Sequence, residues 1–239
     1  MKKRHMRFPN FKDKAVTLSY DDGVAQDKRL ISILSKYGLK GTFNLNSELL
    51  GKENVLIRNG VEVRHDKVKP SEVAKIYAGH EVAAHTLTHP SLPRSSDEEV
   101  IRQVEKDRLN LSALCGYEVV GMAYPGGGIN HDKRVEKLIS EHTGIRYART
   151  IDANGSFALQ NDLICFSPTV YHIDTDDMLA LGEKFLAYDG DAPALFYIWG
   201  HSYEFDAWNF WDRFEDFCRR MSGHDDIFYG TNREVLLYE

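Results

Sequence analysis

What most restricts this chain is a repeated change of hydrophobic rhythm, from short apolar runs to longer stretches with apolar residues every three or four positions. "AVTLSY" (15–20) reads as a strand, and "DKRLISILSKYG" (27–38) follows as a helix with Leu30, Ile31, Ile33 and Leu34 as its apolar positions and Gly38 at its end. Strand patterns recur at 40–46, 80–86, 119–125, 145–150 and 193–201, and helical patterns at 69–79, 95–116, 131–144, 174–190 and 209–223. The strongest helix, 95–116, opens on serine followed by acids and closes on Gly116. Between 54 and 65, two apolar runs flank Asn59-Gly60, which predicts a β-hairpin. "IFYG" (227–230) is a closing apolar stretch. Six or seven strands alternating with helices predict a parallel α/β fold, either an open sheet or a barrel. No repeat or low-complexity linker interrupts the 239 residues, so one domain over 1–239 is expected.

Composition narrows the classes of function. Hydrophobic residues make up 42% and charged ones 28%, as in a soluble globular chain, and the net charge of -6 is spread along the length. Without a basic patch interleaved with aromatics, nucleic acid is not an expected partner. No run reaches the 18 to 20 or so apolar residues of a membrane span. The basic start "MKKRHMRFPNF" is not followed by the apolar core of a secretory signal, and the three cysteines Cys115, Cys165 and Cys218 are far apart. Both features are read as cytoplasmic.

In parallel α/β folds the site lies beyond the carboxyl ends of the strands. Four expected strand ends carry unusual polar chemistry: Asp21-Asp22-Gly23, "HTLTHP" with His85 and His89, "YPGGG" from Tyr124 to Gly128, and His201. Alone, the histidine pair is read equally well as hydrogen-bonded surface residues. With a strand-end carboxylate in the same sheet, two imidazoles and one acid match a recurrent catalytic metal triad that keeps an open position.

These residues resemble the polysaccharide deacetylases with the NodB homology fold, carbohydrate esterase family 4. Ser19-Tyr20-Asp21-Asp22-Gly23 is similar to the family's TFDDG, and His85-Thr86-Leu87-Thr88-His89 to its H-[ST]-x-x-H. "GTFNLN", "AYPGGG" and "WGHSYEF" resemble its second strand, its third motif and the stretch with its catalytic histidine, in order from about Ala15 to His201. The resemblance implies an irregular (β/α) barrel of about seven parallel strands, and hydrolysis of an N- or O-acetyl group on a sugar or oligosaccharide. It implies one divalent metal, Zn²⁺ first, with Co²⁺, Ni²⁺ or Fe²⁺ as alternatives, held by Asp22, His85 and His89. Asp21 would be the general base, His201 the general acid, and the backbone N–H of Gly126 an oxyanion donor. Tyr124, Pro125, Arg149 and Trp199 would contact substrate.

Two departures qualify the likeness. The third motif is usually R-x-P-[FY]-G, but Ala123 stands in the arginine's place and Gly126 in that of the aromatic residue. Arg149, at a neighbouring strand end, is the candidate substitute cation, an idea rejected if its guanidinium lies far from Asp21. The aspartate that supports the catalytic histidine has no clear counterpart, and Asp152 and Asp174 are both candidates. Two alternatives accompany the deacetylase reading: a same-fold C–N hydrolase of a small non-sugar amide, and a non-catalytic carbohydrate-binding relative. Two-metal phosphoester chemistry fits poorly, because further acidic ligands are missing.

Overall fold

The computed structural model of the chain describes residues 8–238, so most of the basic start lies outside the described residues. The strands and helices follow in the order β1 (Lys14–Asp21), α1 (Asp27–Lys36), β2 (Gly41–Leu45), β3 (Val55–Arg58), β4 (Val61–Arg64), α2 (Val73–Ile76), β5 (Glu81–Ala84), α3 (Asp97–Cys115) and β6 (Gly121–Ala123). Then come α4 (Lys133–His142), β7 (Tyr147–Arg149), β8 (Val170–Tyr171), α5 (Thr175–Leu186), β9 (Ala194–Gly200), α6 (Glu204–Ala207), α7 (Trp211–Met221), β10 (Ile227–Tyr229) and α8 (Asn232–Leu236).

Seven strands run parallel in the order β7-β6-β5-β2-β1-β9-β8 and curl into a half-barrel, left open between β7 and β8. The barrel expectation therefore holds. Strand β10 adds to β1 at Lys14–Val16, while β2 pairs with its later part, Leu18–Asp21. The hairpin β3–β4 forms as expected around Asn59 and Gly60, both at positive φ, but as a separate two-stranded sheet. Among the described residues, no helix is long and apolar enough to cross a membrane.

The alternation along β1 explains how the barrel is filled. Val16, Leu18 and Tyr20 join the core beneath the outer helices, while Ala15 joins the smaller inner cluster with Tyr147, Tyr197 and Val235. Thr17 donates to Asn232 at 2.9 Å and Ser19 accepts from Asn44 and Arg149, so the inward face becomes a buried polar column that ends at Asp21. Helices begin where a side chain can take the free N–H groups. Ser96 caps α3 through the Glu99 N–H and Asp132 caps α4 through that of Val135.

Some elements differ from expectation. The stretch 69–79 is shorter than the predicted helix: a 3₁₀ turn at Pro70–Glu72 and the single turn α2, ended by Gly79 at φ 83°. The two-residue strand β8 and the short helices α6 and α8 carry too little periodicity to be read from sequence.

Candidate metal centre and active-site cleft

The carboxyl ends of β1, β5, β6, β7 and β9 surround one cavity of about 620 Å³. Asp21, Asp22, His85, His89, Tyr124, Gly126, Trp199 and His201 all line it. Pro125 is buried at the base of the loop carrying Gly126 and is not among the lining residues.

The three expected ligands converge. Asp22, His85 and His89 offer donor atoms that all lie within 4.8 Å of one another. His85 Nδ1 is 2.8 Å from the Ala123 carbonyl and must donate to it, which leaves the Nε2 lone pair for a cation. Burial pushes the His85 imidazole down to about 4, so it is neutral at pH 7. Asp22 is strongly anionic: burial opposes ionisation, but Lys67 and the His65 hydrogen bond hold its carboxyl well below the usual range. These partners lie 3.2 Å and 3.0 Å from its two oxygens, each of which keeps a second lone pair. One carboxylate and two imidazoles, one of them in the coordinating tautomer, fit a divalent ion.

The backbone enters this site strained. Asp22, Thr86 and His89 have φ of 84°, 68° and 61°, a left-handed conformation uncommon for residues with a Cβ. Four hydrogen bonds hold the His85 loop: its N–H is shared between Leu45 O and Asp107, and Asn46 donates to the carbonyls of His85 and Thr86. Gly23, after Asp22, has φ 61°, and a Cβ there would meet Leu45 Cγ at 2.8 Å, so the turn needs glycine.

Asp21 points elsewhere. Both of its oxygens lie 2.5 Å from Arg149 Nη2, and Asn44 donates to one of them at 2.8 Å. Arg149 is fully buried and is fixed by Ser19, by the Thr150 carbonyl and by the Trp199 ring 4.5 Å from its guanidinium carbon. Burial raises the Asp21 pKa, but Arg149 above all, with His85 and His201, outweighs it and holds the carboxyl below its ordinary value. The arginine missing from the third motif thus has a spatial counterpart on β7. Its complete burial corrects the expectation that Arg149 touches substrate: it reaches the cavity only through Asp21.

His201 also has a partner, though neither of the expected ones. Its Nδ1 lies 3.2 Å from Glu204, whose carboxylate also accepts the His201 backbone N–H at 3.0 Å, contacts His172 Nε2 at 2.7 Å and accepts the Tyr171 hydroxyl. Burial disfavours the imidazolium, but Glu204 outweighs it and pushes His201 up to about 9. Asp152 lies instead 3.9 Å from His131, and Asp174 precedes α5. The missed signal is local: an acid three residues after a strand-end histidine can accept both that residue's N–H and its ring. His65 and Lys67 left no such signal. They reach Asp22 because the chain after the hairpin pairs with the β1–α1 loop, through Val68 N to Gly23 O and Ala25 N to Asp66 O.

The chain resembles known proteins in sequence and in fold. The chain is similar to the chitooligosaccharide deacetylase of Rhizobium leguminosarum bv. phaseoli, 29% identical over 118 residues that span 48% of this chain and 42% of that protein. Across curated relatives of this kind, the match spans 23% to 42% of their own length. In fold it is similar to T48 deacetylase solved with substrate, with a TM-score of 0.58 at 15% identity over 94% of this chain and 92% of that one. A CE4 family pseudoenzyme from Bacillus anthracis shares the fold at a TM-score of 0.55 and 19% identity, over 95% of this chain and 66% of its own. The family profile described as polysaccharide deacetylase matches residues 9–148, more than half of the sequence, and this chain belongs to that family.

Proposed function

We propose that the chain is a metal-dependent hydrolase that removes an N-acetyl or O-acetyl group from a sugar or oligosaccharide. One observation carries the reading: an anionic carboxylate held by Arg149 and a cationic imidazole held by Glu204 face the same cavity as the three-donor cluster. Two imidazoles and a carboxylate suit Zn²⁺, with Co²⁺, Ni²⁺ or Fe²⁺ as further candidates. An ion held by Asp22, His85 and His89 supplies Lewis acidity at the acyl carbonyl.

The protein's own groups divide the proton work. Asp21, kept ionised by Arg149, takes the proton of the attacking water, a contribution of roughly 10²- to 10⁴-fold. The Gly126 N–H is the backbone donor for the developing oxyanion, and one such donor is worth about 2.7–4 kcal/mol. His201, kept protonated by Glu204, delivers a proton to the leaving nitrogen or oxygen. Trp199 and Tyr124 form apolar wall for the acyl methyl, and Pro125 fixes the loop between Tyr124 and Gly126.

Acetate release from N-acetylglucosamine oligomers, run beside a panel of small amides, tests this reading. Expected is release from the oligomers that stops on chelation and returns when the ion is restored. Turnover confined to small amides would move the chain to the alternative C–N hydrolase reading. Absence of hydrolysis by metal-loaded protein on both would reject catalysis.

A further inference from the structure

Behind the Tyr124 wall lies a second cluster of metal-ligating groups that the hydrolytic machinery does not use. His131 precedes α4, Glu136 sits in its first turn, and Cys165 comes from the long connection between β7 and β8. One donor atom from each lies within 4.8 Å of the others. The His131 and Glu136 side chains are 15% and 10% exposed, and Cys165 is half-buried. His131 Nδ1 and Glu136 share a hydrogen bond at 2.9 Å that a bound ion would replace. In a tetrahedral site with bonds of roughly 2.0–2.3 Å, donors stand about 3.3–3.8 Å apart, so small side-chain rotations would fit the set to an ion.

The surroundings favour a cation. Glu136, Asp152 and Asp162 gather here, with Asp152 3.9 Å from His131 Nε2 and Asp162 4.0 Å from Lys133. The opposing charge is Lys133, 2.6 Å from Glu136, and its side chain is 83% exposed and free to swing into solvent. We propose that His131, Glu136 and Cys165 form a second divalent-cation site, suited to Zn²⁺, separate from the Asp22/His85/His89 cluster.

Thiolate, imidazole and carboxylate together select Zn²⁺ or Co²⁺ over Mg²⁺ and Ca²⁺. Binding converts the Cys165 thiol to a thiolate and releases its proton to solvent, one per ion. The site ties the start of α4 to the β7–β8 connection. It also steadies Tyr124, whose ring stacks on His131 at 4.8 Å and whose hydroxyl donates to the carbonyl of Ile164, next to Cys165. None of this depends on the hydrolase reading.

Cobalt reports on the thiolate directly. The full chain carrying Asp22→Asn and His89→Ala, stripped by chelation and titrated with Co²⁺, is expected to bind one equivalent with a thiolate-to-cobalt charge-transfer band. Zn²⁺ should then bleach that band. Cys165→Ser in the same background should abolish it, and Cys115→Ser should leave it intact. His131→Gln, which keeps the thiol and serves if the serine variant misfolds, should weaken Co²⁺ binding by about 10- to 100-fold. Cobalt uptake without the band, a band that survives Cys165→Ser, or unchanged affinity in His131→Gln would overturn the proposal.

Discussion

Asp21 and Asp22 are adjacent in sequence and opposite in circumstance, because their carboxylates meet different cations. Asp21 meets Arg149 from inside the barrel, and Asp22 meets Lys67 and His65 from the loop side. A buried pair such as Asp21–Arg149 costs about 3–5 kcal/mol when one partner is removed, so alanine at 149 would confound activity with folding. Arg149→Lys keeps the charge and loses the fork that also reaches Ser19 and Thr150. It should lower kcat on the order of 10²-fold with KM and metal stoichiometry unchanged, measured by acetate release and elemental analysis. Glu204→Gln tests the other end of the proton path. Since Glu204 contributes most to raising His201 to about 9, with Asp22 and Asp21 adding to it, its neutralisation lets burial draw the imidazole back toward its ordinary value. The alkaline limb of the kcat/KM profile should then move down by about two pH units. A limb that stays in place would mean that His201 is not the acid. Side-chain types and order revealed Asp21, Asp22, His85, His89 and His201, whereas Lys67, His65 and Glu204 act through contacts that spacing alone does not display.

Elements were legible where they were long or periodic, and obscure where tertiary pairing alone defines them. α3 announces itself through its serine cap, acidic first turn and terminal glycine, and the hairpin through Asn59-Gly60. β8 exists because Val170 and Tyr171 pair with Ile198 and Trp199, and β10 because Ile227–Tyr229 pairs with the start of β1. β8 has no pattern of its own, and β10 shows in the sequence only as the apolar stretch "IFYG". The alternation in "AVTLSYD" did carry more than strand propensity, since its small and polar members line the barrel interior that leads to Asp21. The loop after β1 shows how an element end sets a site. Gly23→Ala places a Cβ against Leu45 in a left-handed turn beside Asp22, and should destabilise the fold by about 1–3 kcal/mol. Urea denaturation should give a lower midpoint at unchanged slope, together with weakened metal binding. A variant as stable as the parent would show that the turn has room to relax.

Across the molecule, one buried carboxyl joins three of the connections beneath the cleft. Asp27, at the start of α1, accepts from Tyr77 after α2 at 2.7 Å and from Ser202 after β9 at 2.6 Å. Burial raises its carboxyl to about 7 despite both hydrogen bonds. The unfolded chain titrates this group near 3.9, so the native state holds the proton more tightly. Its contribution to stability is therefore complete below about pH 4 and declines as pH rises through about 7. A shift of about three units amounts to about 4 kcal/mol. The parent's pH curve does not isolate this effect. Asp107, raised to about 7, acts in the same direction, while His80 and His85, both lowered to about 4, act in the opposite one as they resist protonation in the fold. Asp27→Asn separates them, because the other groups are common to both proteins and cancel in the difference. Relative to the parent, the variant should be less stable at pH 4, gain as pH rises to about 7 and then level off, by up to about 4 kcal/mol in all, read from urea midpoints at each pH. A stability difference that stays constant over that range would mean that Asp27 is already ionised in the folded protein, and that a carboxylate rather than a neutral carboxyl accepts the two hydroxyls and joins the three connections.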